Sequence, residues 1–264
     1  MRMKDTACAL GLYKYRCECP SSDLFVRFYS TIMRVLPTLG VQPSHIGVGG
    51  IGYPNELCRI GGPVEAKLRD SSFSAISSLS LVADAAGRDS PAYDAFMSTS
   101  CGYNETAREL LLSFVINEAF MELDTTEFDA LLGALVSLCR WDFGYGFSAG
   151  VENQPEFHIC GIDSGKLSED EYTELCAWYA APADVRTTLL RDIYPYNLLN
   201  ESQLDARVSQ GVNVRLLAQT HIRSSLTRMT DYGLYLWRVP DSELAHLRQV
   251  LVGSPALILG VRDL

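Results

Sequence analysis

Apolar positions recur at helical spacing in four stretches of the chain. Residues 21–40 (SSDLFVRFYSTIMRVLPTLG) predict a helix that Ser21, Ser22 or Asp23 caps and that Pro37 and Gly40 stop. Residues 124–141 predict the clearest helix, with Phe128, Leu131, Leu132, Leu135 and Leu138 on one face, Asp124 or Thr125 as cap, and Glu127 at capping-box distance from Asp124. Residues 167–182 carry a second capping box, Ser168 with Glu171, and residues 241–253 form a terminal helix closed by Gly253. The serine-rich residues 64–86 follow a helical pattern more weakly.

Between these stretches the pattern turns strand-like. Residues 8–19, 45–50 (HIGVGG), 141–150 (WDFGYGFSAG), 156–163 (EFHICGID) and 255–260 (PALILG) predict strands, with 141–150 and 156–163 as neighbours. Residues 108–120 fit a buried strand or a short apolar helix, and 225–240 a hairpin turning at TDYG. Residues 192–204 (DIYPYNLLNESQL) begin as an extended aromatic segment, with Glu201 and Gln203 opening a helix. The elements follow no regular βαβ alternation. The expected class is therefore α+β, with mixed, largely antiparallel sheets and helices packed against them. The 264 residues suit a single domain, or two packed α+β halves, 1–123 and 124–264.

Composition describes a globular chain, 47 % hydrophobic and 20 % charged. No apolar run approaches the ~18–20 residues a bilayer span needs, and Asp5, Lys14, Arg16 and Glu18 break the N-terminal segment too early for a signal peptide. The eight cysteines are scattered, with no C-x-x-C, as reduced, mostly buried thiols would be. These features set the expectation of a cytoplasmic protein.

Charge changes the picture most. The net charge is −10, and between Glu118 and Glu174 there are thirteen acidic residues against two basic ones, a net of −11. Nearly all the excess negative charge thus lies in 57 residues. Such a field repels nucleic acid and anionic membranes and attracts a basic protein. A solvated surface that only aids solubility is the plain alternative.

Three motifs invite chemistry. Gly47, Gly49 and Gly52 match G-x-G-x-x-G, but a dinucleotide site needs a helix opening at the third glycine to receive the pyrophosphate. Pro54 and the run Gly61–Gly62–Pro63 oppose that helix, so no nucleotide cofactor is expected. Ser148 lies in G-x-S-x-G, whose nucleophile elbow likewise requires a following helix. Pro155 and the strand-like pattern after it argue against one, leaving a serine hydrolase as the alternative function. Cys17 with Cys19, and His158 with Cys160, are i, i+2 pairs that would each face one way on a strand. Strand faces are unusual for zinc ligands, and no metal is expected.

What survives is a binding surface. Glu152, Glu156, Glu169 and Asp170 sample the acidic region, and Tyr194 and Tyr196, flanking Pro195, offer rings of the type enriched at interfaces. Buried rings in an inner connection are the other reading of that segment.

The runs RWDFGYGFSAG, EFHICGID, IYPYNLLNESQL and GLYLWRVPDSELAHLRQVL together resemble the cytoplasmic immunity proteins of bacterial polymorphic-toxin and type VI secretion systems, in particular the immunity protein 52 family. The likeness covers residues 124–260. It implies an α+β architecture, no enzymatic activity, no catalytic residues, and tight binding of one cognate toxin. A nuclease toxin, basic because it grips phosphates, would suit the acidic region. A non-catalytic adaptor of a secretion assembly is a further alternative.

Overall fold

The computed structural model describes residues 3–83, 96–221 and 223–260. The chain divides into two compact units, one formed by 1–140 with 148–156 and the other by 141–147 with 157–264. α+β is the observed class, and every strand pair in the described sheets is antiparallel.

The first unit runs β1 (Thr6–Lys14), α1 (Ser22–Val35), β2 (His45–Gly50), β3 (Leu57–Arg59), α2 (Pro63–Asp70), β4 (Ile76–Ala83), β5 (Met97–Asn104), β6 (Glu109–Asn117) and α3 (Thr126–Val136). Its strands pair in the order β1-β6-β5-β4-β2-β3. Ala9 faces Val115 and Leu12 faces Leu112 across β1 and β6. Phe25, Phe28 and Ile32 of α1 are buried, as are Phe128, Leu131 and Leu135 of α3, Leu79 and Leu81 of β4, and Leu112 and Phe114 of β6. Arg27 of α1 donates to the Leu138 carbonyl at 2.8 Å, tying the end of α3 to α1.

α1 ends as its sequence dictates. A short 3₁₀ turn, Leu36–Leu39, follows it, and Gly40 closes the segment at φ 73°, the left-handed conformation that glycine adopts without a Cβ penalty. α3 is capped by Thr125, whose side chain accepts the Phe128 amide, rather than by Asp124, which stands at φ 60°. The expected helix over 64–86 is only α2. From Ile76 the Ser/Leu alternation has a period of two, Leu79 and Leu81 are buried, and the chain is a strand. Residues 84–86 of that stretch lie outside the described residues.

The second unit takes the first five residues of β7 (Phe143–Gly150), the last four of α4 (Pro155–Cys160), and then α5 (Glu169–Ala180), α6 (Ala183–Thr188), β8 (Tyr196–Asn200), α7 (Glu201–Leu204), β9 (Arg207–Ser209), β10 (Val212–Asn213), α8 (Val214–Thr220), β11 (Ser225–Arg228), β12 (Leu234–Arg238) and α9 (Asp241–Leu251). Its main strands pair in the order β7-β8-β12-β11, and β9 and β10 form a separate short ladder. A core of Leu190, Ile193, Leu199, Leu204, Trp237 and Leu247 fills the unit.

Two expectations fail here for identifiable reasons. Residues 156–163 are helical over α4, not a strand. Pro155 suits the first helical position, and Gly161 at φ 68° closes the turn, with the Ile162 amide donating to the Phe157 carbonyl at 2.8 Å. Residues 255–260 make one parallel bridge, Leu257 with Leu190, and then a 3₁₀ turn over Ile258–Gly260. The expected hairpin is β11 with β12, and the expected capping box of Ser168 with Glu171 closes as a hydrogen-bonded pair; Asn200 and Gln203 close a further box at the start of α7 that the sequence pattern did not single out.

Candidate partner-binding surface

The acidic region is divided by the fold. Seven of its thirteen carboxylates belong to the first unit and six to the second. Several are engaged. Glu118 accepts from Thr6 and Ser148, Glu122 pairs with Lys4, and Glu171 accepts from the Ser168 amide at 2.8 Å.

The four expected partner-binding carboxylates therefore differ in character. Glu152 is exposed in a 3₁₀ turn of the first unit. Glu156 accepts from Ser98 at 2.7 Å and Ser113 at 3.2 Å, so it anchors its segment to β5 and β6 instead of facing outward. Glu169 and Asp170 are exposed in the first turn of α5, where negative charge complements the helix dipole. The two expected aromatic anchors are corrected. Tyr194 and Tyr196 are only 5 % and 0 % exposed, because the segment around Pro195 is an inner connection, and neither ring can meet a partner.

α5 has two faces of different character. Leu175 and Trp178 point inward. Trp178 meets Phe143 edge-on, with centroids 5.5 Å apart and planes at 86°, and the guanidinium groups of Arg186 and Arg191 lie over its ring at 5.2 and 5.4 Å. Tyr172, Cys176 and Tyr179 stand at i, i+4 and i+7 on the outer face, Cys176 exposed and the tyrosines 49 % and 73 % accessible. The Tyr172 phenol is raised above its ordinary pKa, first by hydrogen bonding and charge interaction with Cys176 and then by the nearby charge of Asp163.

Beneath α5 lies a buried polar network that the sequence reading missed. Arg191 donates to Glu174 at 2.5 Å, to the Tyr145 hydroxyl at 2.7 Å and to the His158 carbonyl at 2.8 Å. His158 Nε2 is 3.0 Å from the Tyr194 hydroxyl, and the Tyr194 and Tyr145 rings stack at 4.3 Å. Burial, and then the charges of Arg191 and Arg248, push the His158 pKa down to about 3, so the ring is neutral. Burial raises Glu174 despite its pairing with Arg191 and raises the Tyr194 phenol well above its ordinary value. These groups face one another, and the arrangement holds α5 in place. Its one sequence signal is the charged pair Arg191–Asp192 set between the apolar residues Leu189, Leu190 and Ile193.

The motif residues take ordinary positions. Gly47 and Gly49 pair within β2, and Gly52 sits in the turn after it at φ 81°. Ser148 lies within β7, two residues before its end, with φ below zero, so the chain makes no strained turn at the serine, and its hydroxyl donates to Glu118. Cys17 and Cys19 lie in irregular chain after β1 and His158 and Cys160 on α4, so neither pair has the strand placement expected. Among the described residues no group of three His, Cys, Asp or Glu side chains is placed to hold a metal ion, and no helix is long and apolar enough to cross a membrane.

Neither a protein-family model nor a curated protein matches the sequence. A solved structure does match in fold: the Pseudomonas aeruginosa T6SS protein PA0821, with a TM-score of 0.59 at 13 % identity, over 95 % of this chain and 73 % of that one. At that identity the likeness establishes a shared fold.

Proposed function

We propose that this protein is a type VI secretion-associated immunity protein that binds a cognate basic toxin and neutralises it by occlusion. The observation that carries the reading is the fold likeness to a T6SS protein over 95 % of the chain. The charge distribution supports it independently. A net of −11 within 57 residues favours a basic partner, and a toxin that cleaves nucleic acid needs a basic cleft to hold phosphates. Such a protein acts without catalysis, in the cytoplasm of the cell it protects. Acidic groups raise the rate of encounter, while desolvated aromatic contacts set how long the complex lasts.

The test is co-expression with the product of the gene adjacent to this protein's own. Restored growth together with a stoichiometric purified complex is the expected result. Growth arrest with no complex overturns the reading. A stable complex with no relief of toxicity favours a non-catalytic adaptor of the secretion assembly, to which the same fold likeness also points.

A further inference from the structure

Ten large hydrophobic residues are notably exposed among the described residues, and the two aromatic ones, Tyr172 and Tyr179, both lie on α5. Seven residues apart, they are two helical turns from each other on one side, with Cys176 between them. A tyrosine presents a large apolar ring and a polar tip and loses little conformational freedom when held, which is why exposed pairs of this kind act as anchors. The helix carrying them is fixed from below by Trp178, Leu175 and the Arg191–Glu174 pair. The face is thus preorganised, which lowers the cost of association.

Charge selects the occupant. Exposed Asp163, Glu169, Asp170 and Asp184 flank the tyrosines in sequence, and Lys166 is the one basic residue between Asp163 and Asp184. Two copies of this chain meeting through the same face would set acid against acid. A nucleic acid or anionic lipid would be repelled. A protein with apolar pockets inside a basic rim is complementary on both counts.

We infer that the outer face of α5, anchored by Tyr172 and Tyr179, is the docking surface for a basic partner protein. This rests on the immunity reading above and names the face that performs it.

Cys176 makes the face directly observable. The probe is the product of the adjacent gene, and the readout is the alkylation rate of each thiol, followed by mass spectrometry with and without that product. In the complex, alkylation of Cys176 should slow at least about tenfold, while the exposed Cys19 of the first unit keeps its free rate. Tyr172→Ala with Tyr179→Ala should speed dissociation about tenfold or more, with an unchanged melting curve. If a stable complex forms and Cys176 reacts at its free rate, the docking face is wrong and the immunity reading stands. If the wild-type protein forms no complex, both fall. A Cys176 rate that drops with rising protein concentration in the absence of toxin would replace the toxin by a second copy of the chain.

Discussion

Arg191 Nε lies 2.5 Å from Glu174 Oε1, and the two side chains are 2 % and 15 % accessible. The pair joins α5 to the segment leading into β8, beneath the helix face that carries Tyr172 and Tyr179. Burial raises Glu174 even with the guanidinium beside it, so desolvation outweighs the attraction for that group. The ion pair is therefore a device for position more than a source of net stability.

That argument gives the first prediction. Arg191→Met leaves Glu174 buried without its cation and should cost about 3–5 kcal/mol, as breaking a buried pair generally does. Arg191→Met with Glu174→Leu should cost clearly less than the sum of the single changes. Urea denaturation of the four species measures the coupling, and additive losses would show that the pair does not act as a unit.

The second prediction concerns pH. The His158 pKa is lowered to about 3 in the folded protein, against an ordinary value of 6.5. Below pH ~6.5 the unfolded chain takes up a proton that the folded chain refuses, so stability falls on acidification from there toward pH 3. The slope from this group approaches about 1.4 kcal/mol per pH unit. Glu174, raised by burial, works in the opposite direction near its own titration, because its folded form binds the proton more readily. The His158 effect sets in at about pH 6.5, where the unfolded ring titrates. His158→Gln should flatten the dependence of the denaturation midpoint there. An unchanged slope in the variant would show that His158 is not the group responsible.

The sequence made some of this structure legible and not the rest, for physical reasons. Local signals translated directly where they act locally: the helix stop at Pro37 and Gly40, the Ser168–Glu171 box, and the β11–β12 hairpin. α4 reads as a strand because its apolar residues alternate, although Pro155 at its first position and Gly161 after it are the start and stop of a helix. The acidic excess was visible in composition. Its use was not, since serines hold Glu156 and an arginine holds Glu174, and both partners are remote in sequence. In sequence Tyr194 and Tyr196 read as anchors, and nothing there distinguishes them from Tyr172 and Tyr179. Burial is decided by tertiary packing, and a tyrosine has the same appearance in sequence on either side of it.

Ser148 supplies the third prediction. Its hydroxyl donates to Glu118 at an exposed position, so Ser148→Ala should reduce stability by no more than about 1 kcal/mol and leave protection against the toxin intact. A fluorophosphonate probe should not label the wild-type protein. Labelling that disappears in Ser148→Ala would establish a nucleophilic serine and overturn the non-catalytic reading.

The fourth prediction separates buried from exposed tyrosines. Tyr194→Phe removes the hydroxyl 3.0 Å from His158 Nε2 and should cost about 1 kcal/mol of stability. Its ring stays against Tyr145, so affinity for the toxin should hold within about twofold, whereas truncating Tyr172 and Tyr179 should weaken binding with little loss of stability. Calorimetric titration alongside thermal denaturation reads both quantities. A Tyr194→Phe variant that melts normally but binds poorly would place the partner on the wrong residues.

The last prediction asks which of the two acidic sets steers association. Glu169 and Asp170 are exposed at the start of α5, and Glu152 is exposed in the other unit. Glu169→Gln with Asp170→Asn removes two charges from beside the proposed face. Because both complement the helix dipole, the pair of changes should also cost stability, about 0.3–1 kcal/mol each at low salt. The association rate should fall several-fold at low ionic strength and converge with the wild type as salt screens the field beyond about 10 Å at 0.1 M. Dissociation should change little, since rim charges act mainly on encounter. Glu152→Gln carries the comparison. If docking is confined to α5, its association curve follows the wild type across the whole salt range. If Glu152→Gln slows association as much as the α5 changes do, the partner senses the field of the entire acidic region and the α5 charges have no special part in steering. Stopped-flow rates against ionic strength for the three proteins distinguish these outcomes.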